Sequence, residues 1–340
     1  MRAAVWTGVG VVDVREVAAA SPGPGCVRVR IRAAGICATD LHIVDGRLPF
    51  AAPPLIPGHE LAGEVAGGAP DLAAGTRVAV ASVLSCHRCP YCRRAMPHLC
   101  DTPRELGITV DGGWCEEISV PRENLVPLPA GISWEAGALM EPLNCTLGAM
   151  GRAEVRAGGD VLILGSGPAG LLFVQLARLG GAGRILLVGT TPARQALGRA
   201  LGADHLLDAG EDVLARSRAI CDGMGPDLVI EAVGSQRTIQ EAFRLVRRGG
   251  QVLLYGLHGG PIDAFDSDGI VMNALTVIGH QSSPGLWVET VKLVATGRIQ
   301  VEPLITGRFP LAEAPRALEA ARDEAGGSVK VMLSIPGGDE

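Results

Sequence analysis

The sequence predicts an α/β chain in two parts, a β-rich unit and a doubly wound parallel sheet, and three observations predict it. Short strand-like segments broken by proline and glycine fill residues 1–145. Continuous apolar runs alternate with helical stretches over 146–280. Mixed helix and strand return over 281–340. A length of 340 residues suits about two domains at roughly 150 residues each.

The first segment, Ala3–Val12, is apolar, but Asp13, Arg15 and Glu16 come at once, which suits a first strand and turn better than a secretion signal. Val27–Arg32 alternates with period two, as a half-buried strand does. Prolines 22, 24, 53, 54 and 57 punctuate the chain on either side of it. The runs Val161–Leu164, Ile185–Val188, Leu228–Ile230 and Val252–Tyr255 suit parallel strands buried on both faces. Helices are predicted at Ala193–Leu201 and Thr238–Arg247, giving right-handed βαβ crossovers.

Composition narrows the function. Hydrophobic residues at 47% and charged residues at 19% exclude a disordered chain. Nine cysteines in 340 residues are too sparse for a disulfide scaffold. A net charge of −6 offers no footprint for a phosphate backbone, so no nucleic acid is expected as partner. Val161–Ala177 is uncharged but short for a membrane span, and a glycine turn interrupts it. A cytoplasmic protein without membrane contact is expected, its cysteines serving as metal ligands or core fillers.

Cys86, Cys89, Cys92 and Cys100 stand as C-x2-C-x2-C-x7-C in a lobe, 86–100, with few aliphatic residues. Four thiolates can close a tetrahedron around Zn²⁺, and the metal supplies folding energy that the lobe lacks. Four protein ligands leave no open position, so this zinc is structural. Cys37 and His59 are the strongest further ligand candidates, with Glu60, Glu141 and Cys145 able to complete a set. From spacing alone they read equally well as a core thiol and a satisfied structural histidine.

Gly165-Ser166-Gly167-Pro168-Ala169-Gly170 comes after a predicted strand and opens a predicted helix, the context G-x-G-x-x-G needs. Its glycines make the tight turn, admit a pyrophosphate and let helix pack on strand. The next strand ends in Gly189-Thr190-Thr191-Pro192-Ala193-Arg194, with no acid to take a ribose 2′-hydroxyl. Two hydroxyls and Arg194 suit a 2′-phosphate, so NADP(H) is favoured over NAD(H).

With these pieces in place, the chain resembles the zinc-dependent medium-chain alcohol dehydrogenases along nearly its whole length. Gly58-His59-Glu60, the four-cysteine lobe, Gly113-Trp114-Cys115-Glu116-Glu117, Glu141-Pro142-Leu143, the glycine turn and Glu231-Ala232-Val233-Gly234 carry the likeness. The resemblance implies a GroES-like catalytic domain over 1–145 and 281–340, and a Rossmann domain over 146–280. It also implies that Cys37 and His59 bind a second, catalytic zinc, and that Glu60 can exchange onto it. Thr39 would contact the substrate oxygen, His42 would pass the proton to solvent, and Asp40 would back the site. Val233 falls among the cofactor-binding positions.

Glu141-Pro142-Leu143 resembles the sorbitol and threonine dehydrogenase branch, which favours Glu141 as third ligand, with Cys145 the alternative. Pro303–Leu311 resembles that branch too, although Gly307 stands where many members have histidine. The implied activity is hydride transfer between a nicotinamide cofactor and a polyol, cyclitol or amino alcohol, or the matching ketone. A biosynthetic ketoreductase and a simple alcohol dehydrogenase are the alternatives. The family commonly assembles as homodimers or homotetramers. A zinc-free reductase of the same fold would lack both metal sets.

Overall fold

The structure is a computed structural model that describes residues 1–19, 23–67, 69, 71–283 and 285–336. Its chain falls into two compact units, residues 1–144, 284–297 and 301–340, and residues 145–283 with 298–300.

In the first unit, β1 (Arg2–Gly8) and β2 (Val11–Glu16) form an antiparallel hairpin. The predicted alternating strand is the first half of β3 (Cys26–Ile36), where Val27, Val29 and Ile31 are buried and Arg28 and Arg30 face out. Those arginines pair across the sheet with Glu117 and Glu64. Then come α1 (Ala38–Val44), β4 (Leu61–Val65), β5 (Arg77–Val80), β6 (Val83–Leu84), α2 (Pro90–Arg93), β7 (Arg104–Glu105), β8 (Glu117–Pro121), β9 (Leu125–Pro127) and α3 (Trp134–Ala138).

From α4 (Met140–Met150) the chain enters the second unit. There β10 (Asp160–Leu164), α5 (Pro168–Leu179), β11 (Arg184–Gly189), α6 (Pro192–Ala200), β12 (His205–Asp208), α7 (Val213–Ile220), β13 (Leu228–Glu231), α8 (Gln236–Leu245), β14 (Gln251–Leu254), α9 (Ser267–Met272) and β15 (Thr276–Gly279) alternate. The chain returns through α10 (Trp287–Ala295), β16 (Ile305–Pro310), α11 (Ala314–Arg322) and β17 (Lys330–Ser334).

The first unit holds a seven-stranded sheet in the order β16-β17-β3-β4-β5-β9, with β8 also paired to β3. Its core includes Trp6, Ile31, Leu61, Trp114 and Leu333. The second unit holds a six-stranded parallel sheet ordered β12-β11-β10-β13-β14-β15. This order reverses at β10, which pairs with β11 on one side and β13 on the other. Ligands bind such sheets beyond the carboxyl ends of the strands at that switch point.

The four predicted parallel strands are β10, β11, β13 and β14, each within a residue of its expected bounds. The strand the apolar pattern missed is β12, at one sheet edge, which buries less apolar surface; β15, at the other edge, ends just before His280, where a strand was expected. The helix predicted at Thr238–Arg247 starts earlier, at Gln236, because Ser235 caps it and closes a capping box with Thr238. Residues 298–300 join the second unit because Gln175 clasps the Gln300 backbone through both its amide nitrogen (2.9 Å) and oxygen (2.8 Å). Among the described residues, no helix is long and apolar enough to cross a membrane.

Candidate active site and metal centres

In the four-cysteine lobe the side chains of Cys86, Cys89, Cys92 and Cys100 converge, their sulfurs all within 4.8 Å of one another. Cys86 and Cys92 sulfurs lie 3.9 Å apart. A tetrahedron with Zn–S bonds of about 2.3 Å has edges of about 3.8 Å, close to the Cys86–Cys92 separation, so the set suits the metal. The folding of the lobe aims backbone amides at the sulfurs. The Cys89 amide donates to Cys86 Sγ, the Cys92 amide to Cys89 Sγ and the Cys86 amide to Cys100 Sγ, each at 3.4 Å. The Arg88 and Cys89 amides lower the Cys86 thiol to about 6. Desolvation and the neighbouring thiols push Cys92 up to about 11, so the set ionises unequally until a cation joins it. His87 turns away to Glu123, 3.1 Å distant, and is no ligand.

The second cluster lies in the first unit, where the turn after β3 meets the turn before β4. Cys37, His59 and Glu60 bring their ligand atoms within 4.8 Å of one another. Local sequence explains the approach. Gly58 has φ +97°, and a Cβ there would sit 2.2 Å from Trp114. A Cβ on Gly35 would sit 1.9 Å from Glu60 Oε2. The two motifs therefore need glycine where it stands.

Asp40 organises the cluster. It is fully buried, and its carboxylate accepts from the Cys37 amide (2.8 Å) and the Gly58 amide (3.2 Å). Its Oδ1 also lies 3.4 Å from His59 Nδ1. Burial works against a charged His59, yet Asp40 and then Cys37 outweigh it and hold His59 well above the ordinary histidine range. The cluster thus attracts positive charge.

Thr39 and His42 lie on α1, three residues apart and so on one face. The Thr39 hydroxyl lies 3.8 Å from Cys37 Sγ. Desolvation, and then the Arg47 charge, hold His42 below its ordinary value despite Asp45.

Sequence reasoning missed Lys330. Its Nζ donates to Glu60 Oε1 at 2.6 Å, to Oε2 at 2.8 Å and to the Ile36 carbonyl at 3.2 Å, with both side chains buried. Burial opposes the Lys330 charge, but Glu60, Cys37 and Asp40 together raise its pKa. A signal was present: arginine supplies all but two of the 30 basic residues, and one of those two lysines is this one.

Glu141 lies buried in the first turn of α4, and Cys145 half-buried one turn later. An i, i+4 spacing puts both on one helix face. Among the described residues, the tight cluster comprises Cys37, His59 and Glu60.

In the second unit, the glycine turn joins β10 to α5. Gly165 has φ +108°, the left-handed turn the first position needs. Gly167 caps α5, and a Cβ there would meet nothing within 4 Å, leaving open backbone for an anion. A Cβ on Gly170 would lie 1.9 Å from the Gly165 carbonyl, so the third glycine serves helix–strand packing. Pro168 and Ala169 begin the helix, whose first amides face the cradle. Ser166 is buried, and a Cβ on Gly189 would lie 2.4 Å from its hydroxyl. Thr190 is exposed at the end of β11, while Thr191 and Arg194 are buried. The burial of Arg194 excludes a merely solvated helix arginine. Glu231 holds the loop after β13, its Oε1 accepting from the Val233 and Gly234 amides at 2.9 Å and the Thr238 hydroxyl at 2.8 Å. Val233 is left exposed there.

Trp114, Cys115 and Cys221 are buried in the cores. His258 Nδ1 lies 3.2 Å from the Gly234 carbonyl, and His280 Nε2 lies 2.8 Å from Ser283 Oγ.

Residues 23–130 match the family described as the alcohol dehydrogenase GroES-like domain, and 168–296 match the zinc-binding dehydrogenase family. The sorbitol dehydrogenase of Halalkalibacterium halodurans is 30% identical, over 98% of this chain and 99% of that protein. The chain belongs to the zinc-dependent medium-chain alcohol dehydrogenases, in the polyol dehydrogenase branch. The L-threonine 3-dehydrogenase of Pyrococcus horikoshii is 31% identical, over 94% of this chain and 95% of that one. A solved zinc-binding dehydrogenase from Sinorhizobium meliloti, bound to NADP, superposes with a TM-score of 0.91 at 35% identity, covering 98% of each chain. The protein is thus a zinc-binding oxidoreductase, with a GroES-like and a Rossmann-type domain.

Proposed function

We propose that this dehydrogenase oxidises a secondary alcohol of a small polar substrate, a polyol, cyclitol or amino alcohol, or reduces the matching ketone. The convergence of Cys37, His59 and Glu60 beside the Thr39 hydroxyl carries the reading. Cys37 and His59 would hold the catalytic zinc, with Glu141 as third protein ligand and Cys145 its alternative. Asp40 beside Nδ1 of His59 leaves Nε2 for the metal, the usual carboxylate–histidine arrangement. Cys86, Cys89, Cys92 and Cys100 would hold a second, structural zinc.

When bound, the catalytic zinc supplies Lewis-acid polarisation of the substrate oxygen, and the nicotinamide accepts the hydride. The chain's own part is the proton. Thr39 Oγ1 accepts it from the substrate hydroxyl, and His42, one helical turn on, passes it towards solvent. Desolvation and the Arg47 charge favour neutral His42, the form able to accept a proton. The cradle from Gly165 to Gly170 would take the pyrophosphate, and Val233 would border the cofactor. Gly189, Thr190, Thr191 and Arg194 would take a ribose 2′-phosphate, which favours NADP(H).

A cytoplasmic homodimer or homotetramer is part of this reading. The outer edge of β15 and the exposed Val271, Met272 and Val277 support assembly with a second copy.

The test is nicotinamide absorbance on zinc-loaded protein with polyols, cyclitols, amino alcohols and simple alcohols, each with NAD and NADP. Turnover of polar secondary alcohols, faster with NADP, is expected. Turnover confined to simple primary alcohols would overturn the substrate class and move the third ligand to Cys145. Faster turnover with NAD would overturn the cofactor assignment.

A further inference from the structure

The second unit carries a cavity of about 980 Å³ that the proposed reaction does not use. Its walls come from α7, α8, α9 and the loops before β10, β13 and β14. Those loops lie at the amino ends of the parallel strands. The glycine cradle, Gly189 and Val233 lie at the carboxyl ends, so this cavity is not the cofactor site.

Five arginines line it, Arg156, Arg218, Arg244, Arg247 and Arg248, against two aspartates. Both aspartates are engaged. Asp227 takes Arg247 at 2.7 Å and the Asp160 amide at 2.8 Å. Asp266 accepts from the Gly269 amide at 3.0 Å to cap α9. Among the described residues, no carboxylate lies within ion-pair distance of the other four arginines. Two of these, Arg218 and Arg244, sit in the last turns of α7 and α8, where the helix dipole alone favours a cation. The dipoles do not account for Arg156 and Arg248, which stand in loops, or for all five lining one cavity of a chain with net charge −6.

The apolar part of the wall is specific too. Phe243 and Phe265 stack edge to face at 5.2 Å, and Phe265 is 43% exposed beside the arginines. Guanidinium groups match phosphate oxygens in pairs, and a part-exposed aromatic ring packs against a flat group. The volume suits a nucleotide-sized ligand.

We propose that this cavity binds a small polyphosphate with a flat ring, a nucleoside triphosphate in chemical class, at a site separate from the dinucleotide cradle. Arg156, Arg218, Arg244 and Arg248 take the phosphates, and Phe265 takes the ring.

The test is calorimetric titration of ATP into zinc-loaded protein saturated with NADPH, which occupies the cradle. The wild type is expected to bind one ATP per chain. An R244E/R248E variant should bind it at least tenfold more weakly, with zinc content and NADPH affinity unchanged and only a slight fall in melting temperature, because the charge reversal at 244 opposes the dipole of α8. Both arginines are exposed and make no ion pair among the described residues, so their reversal breaks no ion pair and leaves the fold in place. Phe265→Ala should weaken ATP several-fold and leave tripolyphosphate unaffected. The proposal is overturned by no ATP binding under NADPH saturation, by equal ATP affinity in wild type and R244E/R248E, or by a Phe265→Ala variant that binds ATP normally. All three readouts are independent of turnover, so failure of the alcohol panel would leave them standing.

Discussion

Replacing Lys330 by methionine removes the side-chain cation that Glu60 holds and leaves the hydrocarbon volume nearly unchanged. Glu60 then keeps a buried carboxylate whose two oxygens have lost partners at 2.6 and 2.8 Å. Breaking a buried ion pair from one side costs about 3–5 kcal/mol. The first unit has about 200 residues. For that size each kcal/mol moves the melting temperature by roughly 2–4 °C, so metal-stripped Lys330→Met should melt roughly 6–20 °C below metal-stripped wild type. Zinc changes the sign of the local problem. The freed carboxylate lies within 4.8 Å of the ligand atoms of Cys37 and His59, so a zinc ion there replaces the lost cation. The deficit should shrink on zinc loading, and zinc should leave the variant more slowly when challenged with a chelator. The double variant Glu60→Gln/Lys330→Met removes both charges and should recover most of the loss without zinc. Thermal melts of the three proteins, stripped and loaded, decide the matter. A stripped Lys330→Met that melts within about 2 °C of wild type, less than 1 kcal/mol on the same scale, would refute the reasoning.

Other tests address the remaining parts. Gly167→Ala places its methyl in open space, so it should leave the melting temperature unchanged and weaken NADPH binding tenfold or more by calorimetry. Gly170→Ala drives a methyl against the Gly165 carbonyl and should lower the melting temperature as well, which separates the two glycine roles. Cys89→Ser should cost one zinc per chain by elemental analysis and open 85–102 to proteolysis; unchanged zinc content would refute a four-thiolate site. Arg194→Ala should weaken NADPH at least tenfold more than NADH, and equal losses would remove the 2′-phosphate assignment. A histidine that works as neutral base loses activity as pH falls through its pKa, and His42 is held below 6.5. The acid limb of alcohol oxidation should therefore lie below that value in wild type and vanish in His42→Ala.

How legible each part is in the sequence depends on where its signal is stored. The central strands β10, β11 and β13 are buried on both faces, so continuous apolar runs mark them. The edge strand β12, His-Leu-Leu-Asp, is half solvated and too short to mark itself, whereas β15, Thr-Val-Ile-Gly, is carried by its β-branched residues. The cysteine lobe and the glycine turn are local, held within 15 and 6 residues, so spacing alone reveals them. The Cys37–His59–Glu60 cluster is assembled from two turns, and spacing left it no better than a core thiol and a structural histidine until the family likeness was added. Lys330 is further still, 270 residues from the carboxylate it holds. Only the pairing of β17 with β3, which sets Val331 opposite Ile36, brings it there.

That pairing also explains why a cation belongs beside the metal cluster. Asp40 and Glu60 are both fully buried, and a metal-binding Cys37 is a thiolate. Lys330 offsets one of these three negative charges, which leaves two uncompensated. A divalent cation cancels them. Without it the next best source is a proton, and His59, pressed by Asp40 and Cys37, is the group held above its ordinary range. If His59 ligates zinc as proposed, binding displaces that proton, since the histidine ligates only when neutral. Removing Lys330 would leave three negative charges, more than one zinc ion offsets. On the proposed ligand set, the same lysine limits the negative charge of the cluster and holds Glu60 in an ion pair that exchange onto the metal has to break.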